Sequence, residues 1–222
     1  MIPSAFVGLL TLSSPALAQT TQDIAVWTAV LASPDVTDRT RIWFDAHARR
    51  DQGRFLAIVR PGVGLQLTDA VSGWVGYGWI PSVPDDGETT HEHRIWEQVI
   101  ANLGLGDRLT LQSRTRFEQR FSGGGGAVAL RLREFVRLTV DPSAPERVRL
   151  ALWDELFVGL GDTDWGAVGG LDQNRLFVGA GLPIRPGGRV EIGLLNVLLP
   201  REDLNVTWAI AANWFPPRRI GG

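Results

Sequence analysis

The sequence predicts an all-β fold: a closed, antiparallel up-and-down transmembrane β-barrel of about ten to twelve strands. Three observations carry this expectation. Apolar and polar residues alternate with period two along one segment after another, most segments run ten residues or more, and a short apolar leader precedes them. Period-two alternation gives a strand two unlike faces. Strands of soluble domains are usually about 5–6 residues long, whereas a tilted strand crossing a bilayer needs about 9–11. In a membrane barrel the apolar face meets lipid and the polar face fills the lumen.

Residues 1–18 read as a signal peptide, with an apolar core AFVGLLTL at 5–12 and a small-x-small site at Ala16-Leu17-Ala18. Its apolar core is too short to span a bilayer as a helix, and no Lys or Arg precedes it. Residues 19–222 then form a single barrel domain. Its strands are expected at 23–32, 39–50, 54–67, 71–80, 91–103, 107–121, 127–140, 147–160, 173–184, 188–199 and 204–215. Turn chemistry separates them, as in RDQG, LTDAVSG, SGGGG, DPSAP and RPGG. In the second segment Arg41, Trp43, Asp45, His47 and Arg49 alternate with Ile42, Phe44, Ala46 and Ala48. In the sixth, Arg108, Thr110, Gln112, Arg114, Arg116, Glu118 and Arg120 share one face, against Leu109, Leu111, Ser113, Thr115, Phe117, Gln119 and Phe121. The seventh sets Arg131, Arg133, Phe135, Arg137 and Thr139 against Leu130, Leu132, Glu134, Val136, Leu138 and Val140. The last alternates Val206, Trp208, Ile210, Ala212 and Trp214 with Asn205, Thr207, Ala209, Ala211 and Asn213.

Eleven segments conflict with the even number that an all-antiparallel closed barrel requires. Either one segment is split or missed, or 23–32 closes the ring irregularly, or it sits outside the ring. Counting back from 204–215, the outer connections fall at 50–53, 81–90, 122–126, 161–172 and 200–203, and the inner turns at 68–70, 104–106, 141–146 and 185–187. Phe55, Trp79 and Phe121 then lie on lipid faces at outer strand ends and Trp214 at the inner end, where aromatic girdles belong. A hairpin centred near Ala144 sets Arg133 opposite Glu155, Phe135 opposite Trp153, and Glu134 opposite Asp154 on the lipid face. Two facing carboxylates in lipid are costly, so a bulge, a place at the membrane boundary, or a shared proton or metal is expected there.

Composition removes whole classes of chemistry. There is no Cys, so disulfides, thiolate metal sites and a Cys nucleophile are excluded. All 22 cations are Arg, which excludes Schiff-base lysines and a P-loop lysine. A net charge of −2 gives no global basic field for nucleic acid. GGGG at 123–126 lacks a following helix and reads as a hairpin tip, so no cofactor is expected. The acidic loop residues Asp85, Asp86, Glu88, Glu92, Asp162, Asp164, Asp172, Glu202 and Asp203 read as solvated, with divalent cations and lipopolysaccharide as the alternative. His47 shares a face with Asp45 and Arg49, His91 and His93 lie in DDGETTHEH, and Ser113 faces lipid with Glu97 as its expected cross-strand neighbour. These make no catalytic or metal constellation, and no enzyme is expected.

The candidate functional residues are therefore those lining the lumen: Arg114, Arg116, Glu118, Arg120, Arg131, Arg133, Arg137, Arg149, Glu155, Arg175 and Glu191. Arg matches carboxylate geometry bidentately, so a ladder of Arg and Glu packs a narrow barrel. The same wall suits a small channel or binding site for anionic solutes. An occluded structural barrel is the alternative, and a lipid-modifying enzyme of the outer membrane the third reading. The expected partners are outer-membrane lipids, the barrel-assembly machinery and small anions.

The order of motifs resembles the bacterial domain-of-unknown-function 2490 family of outer-membrane barrels. It runs from DIAVWTAV and RTRIWFDAHAR through EHRIWEQ (92–98), RTRFEQRF (114–121), LRLREFVRL (130–138) and WDELFVG (153–159) to NRLFVGAGL (174–182), RVEIGLLN (189–196) and a final aromatic strand. Arg116, Glu118, Arg120, Arg133, Glu155, Arg175 and Glu191 occupy its polar positions. The resemblance implies a fold and a place in the outer membrane, and no activity.

Overall fold

A computed structural model describes residues 20–141, 148–184 and 187–217; the expected signal peptide at 1–18, Gln19, residues 142–147, Arg185, Pro186 and the final five residues lie outside the described residues. Every regular element among them is a strand: β1 (Thr20–Ala32), β2 (Thr40–Asp51), β3 (Arg54–Gln66), β4 (Val71–Pro84), β5 (Thr90–Gly104), β6 (Leu109–Ser122), β7 (Ala129–Val140), β8 (Arg149–Gly159), β9 (Gly170–Ile184), β10 (Gly188–Pro200) and β11 (Leu204–Phe215). Each corresponds to one expected segment. β4 continues past Pro81 because Pro81 still pairs, with His91. β9 begins earlier, at Gly170.

The strands close into one barrel in chain order, each antiparallel to its sequence neighbour. The odd count is resolved at the seam. β1 pairs β11 in parallel, from Thr20↔Leu204 to Val30↔Trp214, so the first segment does close the ring irregularly. As a consequence Thr20 and Phe215 lie at opposite ends of the barrel.

The barrel is inside-out relative to a soluble protein. Its outward face is a belt of Leu, Val and Ile, from Ile24 (74% exposed) through Val63, Val99, Leu132 and Val178 to Ile210. Its inward face buries Asp45, Arg60, Arg94, Arg116, Glu118, Arg131, Arg133, Glu155 and Glu191. Water would reward the reverse arrangement, so this fold is built to have hydrocarbon outside. Phe55, Trp79 and Trp214 are exposed on the outward face near strand ends.

Strands β3 and β4 break the polar-inside pattern. Their lumen face carries glycines that leave room for indoles: Trp96 lies against Gly62 and Gly76, and Trp74 against Gly64. Trp43 meets Trp74 and Trp96 edge-on at 5.4 and 6.0 Å.

Two expectations are corrected. The β7–β8 register is displaced by two residues, so Arg133 opposes Phe157, Phe135 opposes Glu155, Arg137 opposes Trp153, and Glu134 opposes Leu156. Glu134 and Asp154 therefore do not face one another. Each carboxylate has its own donors on the outward face: Ser113 (2.8 Å) and Thr115 (2.5 Å) for Glu134, and the Asn174 amide (3.0 and 3.1 Å) for Asp154. The loop-length expectation also fails as a guide to orientation. The 33–39 connection, absent from that count, makes the five connections at each end equal in combined length. We call the end bearing 85–89, 123–128 and 160–169 the upper end, and the other the lower end.

Candidate functional site

The lumen divides into a closed upper half and an open lower half. Glu118 is the hub of the closed half. Fully buried on β6, it accepts from Arg131 Nε and Nη2 at 3.0 and 2.6 Å and from Arg133 Nη1 at 2.5 Å. Arg94 and Arg116 stand 3.8 Å from it. Arg131 continues to Asp172 at 2.9 Å, and Asp172 to Arg201 at 2.8 Å. Asp172 is thus no solvated loop residue. A register irregularity between Phe157 and Val158 on the partner strand lets Asp172 and Gln173 both lie buried. Arg120 holds Glu92 through two bonds of 2.6 and 3.0 Å, and Glu92 also takes Arg94 at 2.6 Å. Arg116 donates twice to Gln98 Oε1, at 2.8 and 2.6 Å, with its guanidinium 4.5 Å from the Trp96 ring.

A loop covers this half. Trp165 in the β8–β9 connection lies 5.2 Å from the Arg120 guanidinium and donates to the Ala127 carbonyl at 2.6 Å. Asp164 accepts from the Ala127 amide at 3.1 Å. The β6–β7 tip, with its GGGG, and the β8–β9 loop are thereby latched together.

Glu155 links the two halves. Arg133 and Arg114 each reach its Oε1 at 2.6 Å, and Arg175 Nη1 lies 3.6 Å from Oε2. The expected Arg133–Glu155 pair exists, then, but as a diagonal contact.

Below it lies a chamber of about 600 Å³. Gly187, Ser33 and Pro216 are among its lining residues, so it reaches the lower mouth. Nine arginines line it and two carboxylates, Asp45 and Glu155. Asp45 accepts from Arg60 Nε at 2.7 Å and Trp43 Nε1 at 2.6 Å, and His47 Nε2 lies 3.1 Å away. Glu191 takes Arg137 and, at 2.9 Å, Arg189 from the chamber wall. Arg149 pairs with Asp141 at 2.5 Å on the rim, and Arg41 with Asp35 at 2.8 Å. Even with Asp35, Asp141 and Glu191 counted, nine guanidiniums meet five carboxylates, and the excess makes the chamber cationic.

Of the expected lumen residues, Arg116, Glu118, Arg120 and Arg131 lie in the closed half. Arg114, Arg133, Arg137, Arg149, Glu155 and Arg175 line the chamber, and Glu191 stands behind it. Reasoning from sequence set Arg49 on the lumen face with Asp45 and His47 without counting it among the candidates, and missed Arg60, Arg94 and Gln98 as members of this interior. Alternation in EHRIWEQ sets Arg94 and Gln98 on one face, but Trp96 shares that face and hides its polarity. Around Arg60, apolar residues and glycines occupy both faces of β3, so no phase is visible.

The outward residues weighed for catalysis are not assembled. Ser113 pairs with Ala101 rather than Glu97, and its hydroxyl is held by Glu134. His93 Nδ1 bonds the Tyr77 hydroxyl, and His91 stacks on Trp79 at 5.9 Å.

A family described as "Protein of unknown function (DUF2490)" matches residues 24–206. An uncharacterized protein of Methylorubrum extorquens is 39% identical over 140 residues, 63% of this chain; the match spans 61% of that relative's length, less than two thirds of it. Among solved structures, LpxR from Salmonella typhimurium shares the fold, with a TM-score of 0.50 at 12% identity over 79% of this chain and 83% of that one.

Proposed function

The chain belongs to the DUF2490 family of proteins of unknown function, and from that premise we propose that it is an integral outer-membrane barrel that binds small anions in a one-ended chamber. The supporting observation is the contrast between the two halves of the lumen. Ion pairs and a latched loop fill the upper half, while nine arginines against two lining carboxylates surround open space below. Lumen charge of one sign favours solutes of the other. The apolar belt is solvated by lipid after insertion by the barrel-assembly machinery, and the lower mouth, where the last strand ends, faces the periplasm.

The test uses refolded protein. In a planar bilayer it passes no stable ion steps, while phosphate or citrate changes the fluorescence of the chamber's Trp27, Trp43 and Trp153 in a saturable way. Stable anion-selective steps would overturn the closed upper half. Absence of binding by any anion would leave the second reading, an occluded structural barrel, which the dense pairing around Glu118 favours.

A further inference from the structure

The chamber has two unlike walls. On β8, β10, β11 and β1 an apolar patch of Trp27, Leu31 and Trp153, backed by the buried Leu195 and Ala211, lies among Arg149, Glu155, Arg189 and Asn213. The patch rests on a dry cluster that includes Phe177, Val197 and Ala209. Trp153 stacks on Phe177 at 5.1 Å and meets Phe135 at a tilt, at 5.5 Å. On β2, β3, β6 and β7 the wall is ionic, with Asp45, Arg60, Arg114 and Arg133. A chamber for simple inorganic ions has no use for an extended indole and leucine surface, because apolar area is stabilised only by apolar contact.

One cation where these walls meet has no carboxylate partner among the described residues. Arg49 is only 9% exposed, yet among the described residues no carboxylate lies within ion-pair distance of it and its Nε makes no hydrogen bond. Every other buried arginine of the lumen has a carboxylate within 4.0 Å. The Arg49 guanidinium lies 4.0 Å over the Trp27 ring, and Arg175 lies 5.1 Å from the same ring. Arg175 Nε is also unbonded, and its nearest carboxylate oxygen stands at 3.6 Å. A buried guanidinium so placed calls for an anion that the chain does not supply.

We infer that the chamber's ligand is an amphiphilic organic anion: a carboxylate or phosphate held by Arg49 and Arg175 beside Trp27, with an apolar body lying along Leu31 and Trp153. This rests on the anion-binding reading above and narrows it. Guanidinium forks match both oxyanions bidentately, and the indole surface takes the hydrocarbon.

The experiment titrates the barrel, held in lipid nanodiscs, with inorganic phosphate and with methyl, butyl and hexyl phosphate, following tryptophan fluorescence and heat. Affinity should rise from methyl to hexyl phosphate, by up to about fourfold per methylene if each is fully buried. Arg49→Gln should weaken hexyl phosphate at least tenfold. Since no carboxylate depends on Arg49, this variant should keep the heat-modifiable gel shift of the folded barrel. Equal affinity for inorganic and hexyl phosphate would overturn the inference and leave the anion chamber standing. No binding of any anion would overturn both. Hexylammonium binding as well as hexyl phosphate, or an unchanged Arg49→Gln titration, would also overturn it. Displacement of hexyl phosphate by a long-chain lysophosphatidate supplied in the bilayer supports a lipid source for the same chemistry, and failure to displace supports a soluble one.

Discussion

Replacing Glu118 by Leu should be among the most damaging single changes in the lumen. The carboxylate is fully buried and accepts three bonds of 2.5–3.0 Å from Arg131 and Arg133. Its loss leaves Arg131 with Asp172 alone and Arg133 with Glu155 alone, while Arg94 and Arg116 each lose the carboxylate 3.8 Å away. Removing one member of a buried ion pair typically costs about 3–5 kcal/mol, chiefly because the remaining charge is stranded. Glu118→Gln keeps the volume and one acceptor oxygen, so it should fall between wild type and Glu118→Leu. Adding Arg131→Met to Glu118→Leu removes one stranded charge and should recover part of the loss. The assay is the urea midpoint of the protein inserted in lipid vesicles, converted with a shared slope. Asp85→Asn serves as the control, because it removes an ion pair to Arg50 in which both side chains are about half exposed, and it should leave the midpoint unchanged. A Glu118→Leu loss below about 1 kcal/mol, the range of exposed pairs, would refute the claim that this cluster is a dry, interdependent plug.

Three further outcomes follow from the walls. Phe117 faces outward and Thr110 inward on β6, so Phe117→Arg should reduce insertion into vesicles by about 2–4 kcal/mol if it sits near mid-membrane, and more than Thr110→Arg; equal folding yields would reverse the face assignment. Ser113→Ala with Thr115→Val strips Glu134 of both its donors, each bond to a charged group contributing about 1.5–3 kcal/mol; the thermal midpoint should fall, and adding Glu134→Leu should restore it. A Cβ at Gly76 would lie 2.2 Å from Trp96 Cζ2 and 2.4 Å from the Pro61 carbonyl. Gly76→Ala should therefore lower stability by about 1–3 kcal/mol through overpacking and shift tryptophan emission, whereas Gly73→Ala, whose nearest atom is at 3.5 Å, should do neither.

The sequence made the strands legible because their signal is local. In β6 and β7 charge alternates with leucine residue by residue, and the lumen face could be read directly. Register is a non-local quantity. The β7–β8 connection carries two prolines, Pro142 and Pro145, and nothing in that composition selects one centre of pairing over another displaced by a residue. The same two-residue shift keeps every side chain on its face, so the polar interior survived the error while the facing carboxylates did not. β3 and β4 were opaque for a different reason: glycine writes no polarity, and the indoles that fill its space come from β2, β4 and β5. The division of the lumen into plug and chamber was invisible too. It depends on which arginines find carboxylates across several strands, and Arg49 shows its lack of one only when the ring is closed.

The β1–β11 seam bears on how the ring comes into being. Every other pair joins strands adjacent in the chain and can form as a hairpin. The seam joins Thr20 to Leu204, so its closure must wait for the whole chain, and the loop-closure entropy is met at one step. Until β11 arrives, the hydrogen-bonding edge of β1 is open to any strand that passes. The seam is also the one parallel ladder, a pairing slightly less stable per residue than its antiparallel neighbours. It is thus the last contact made in assembly, and with eleven paired positions against seven between β1 and β2 it ties the first strand into the ring more extensively than that strand's own hairpin does.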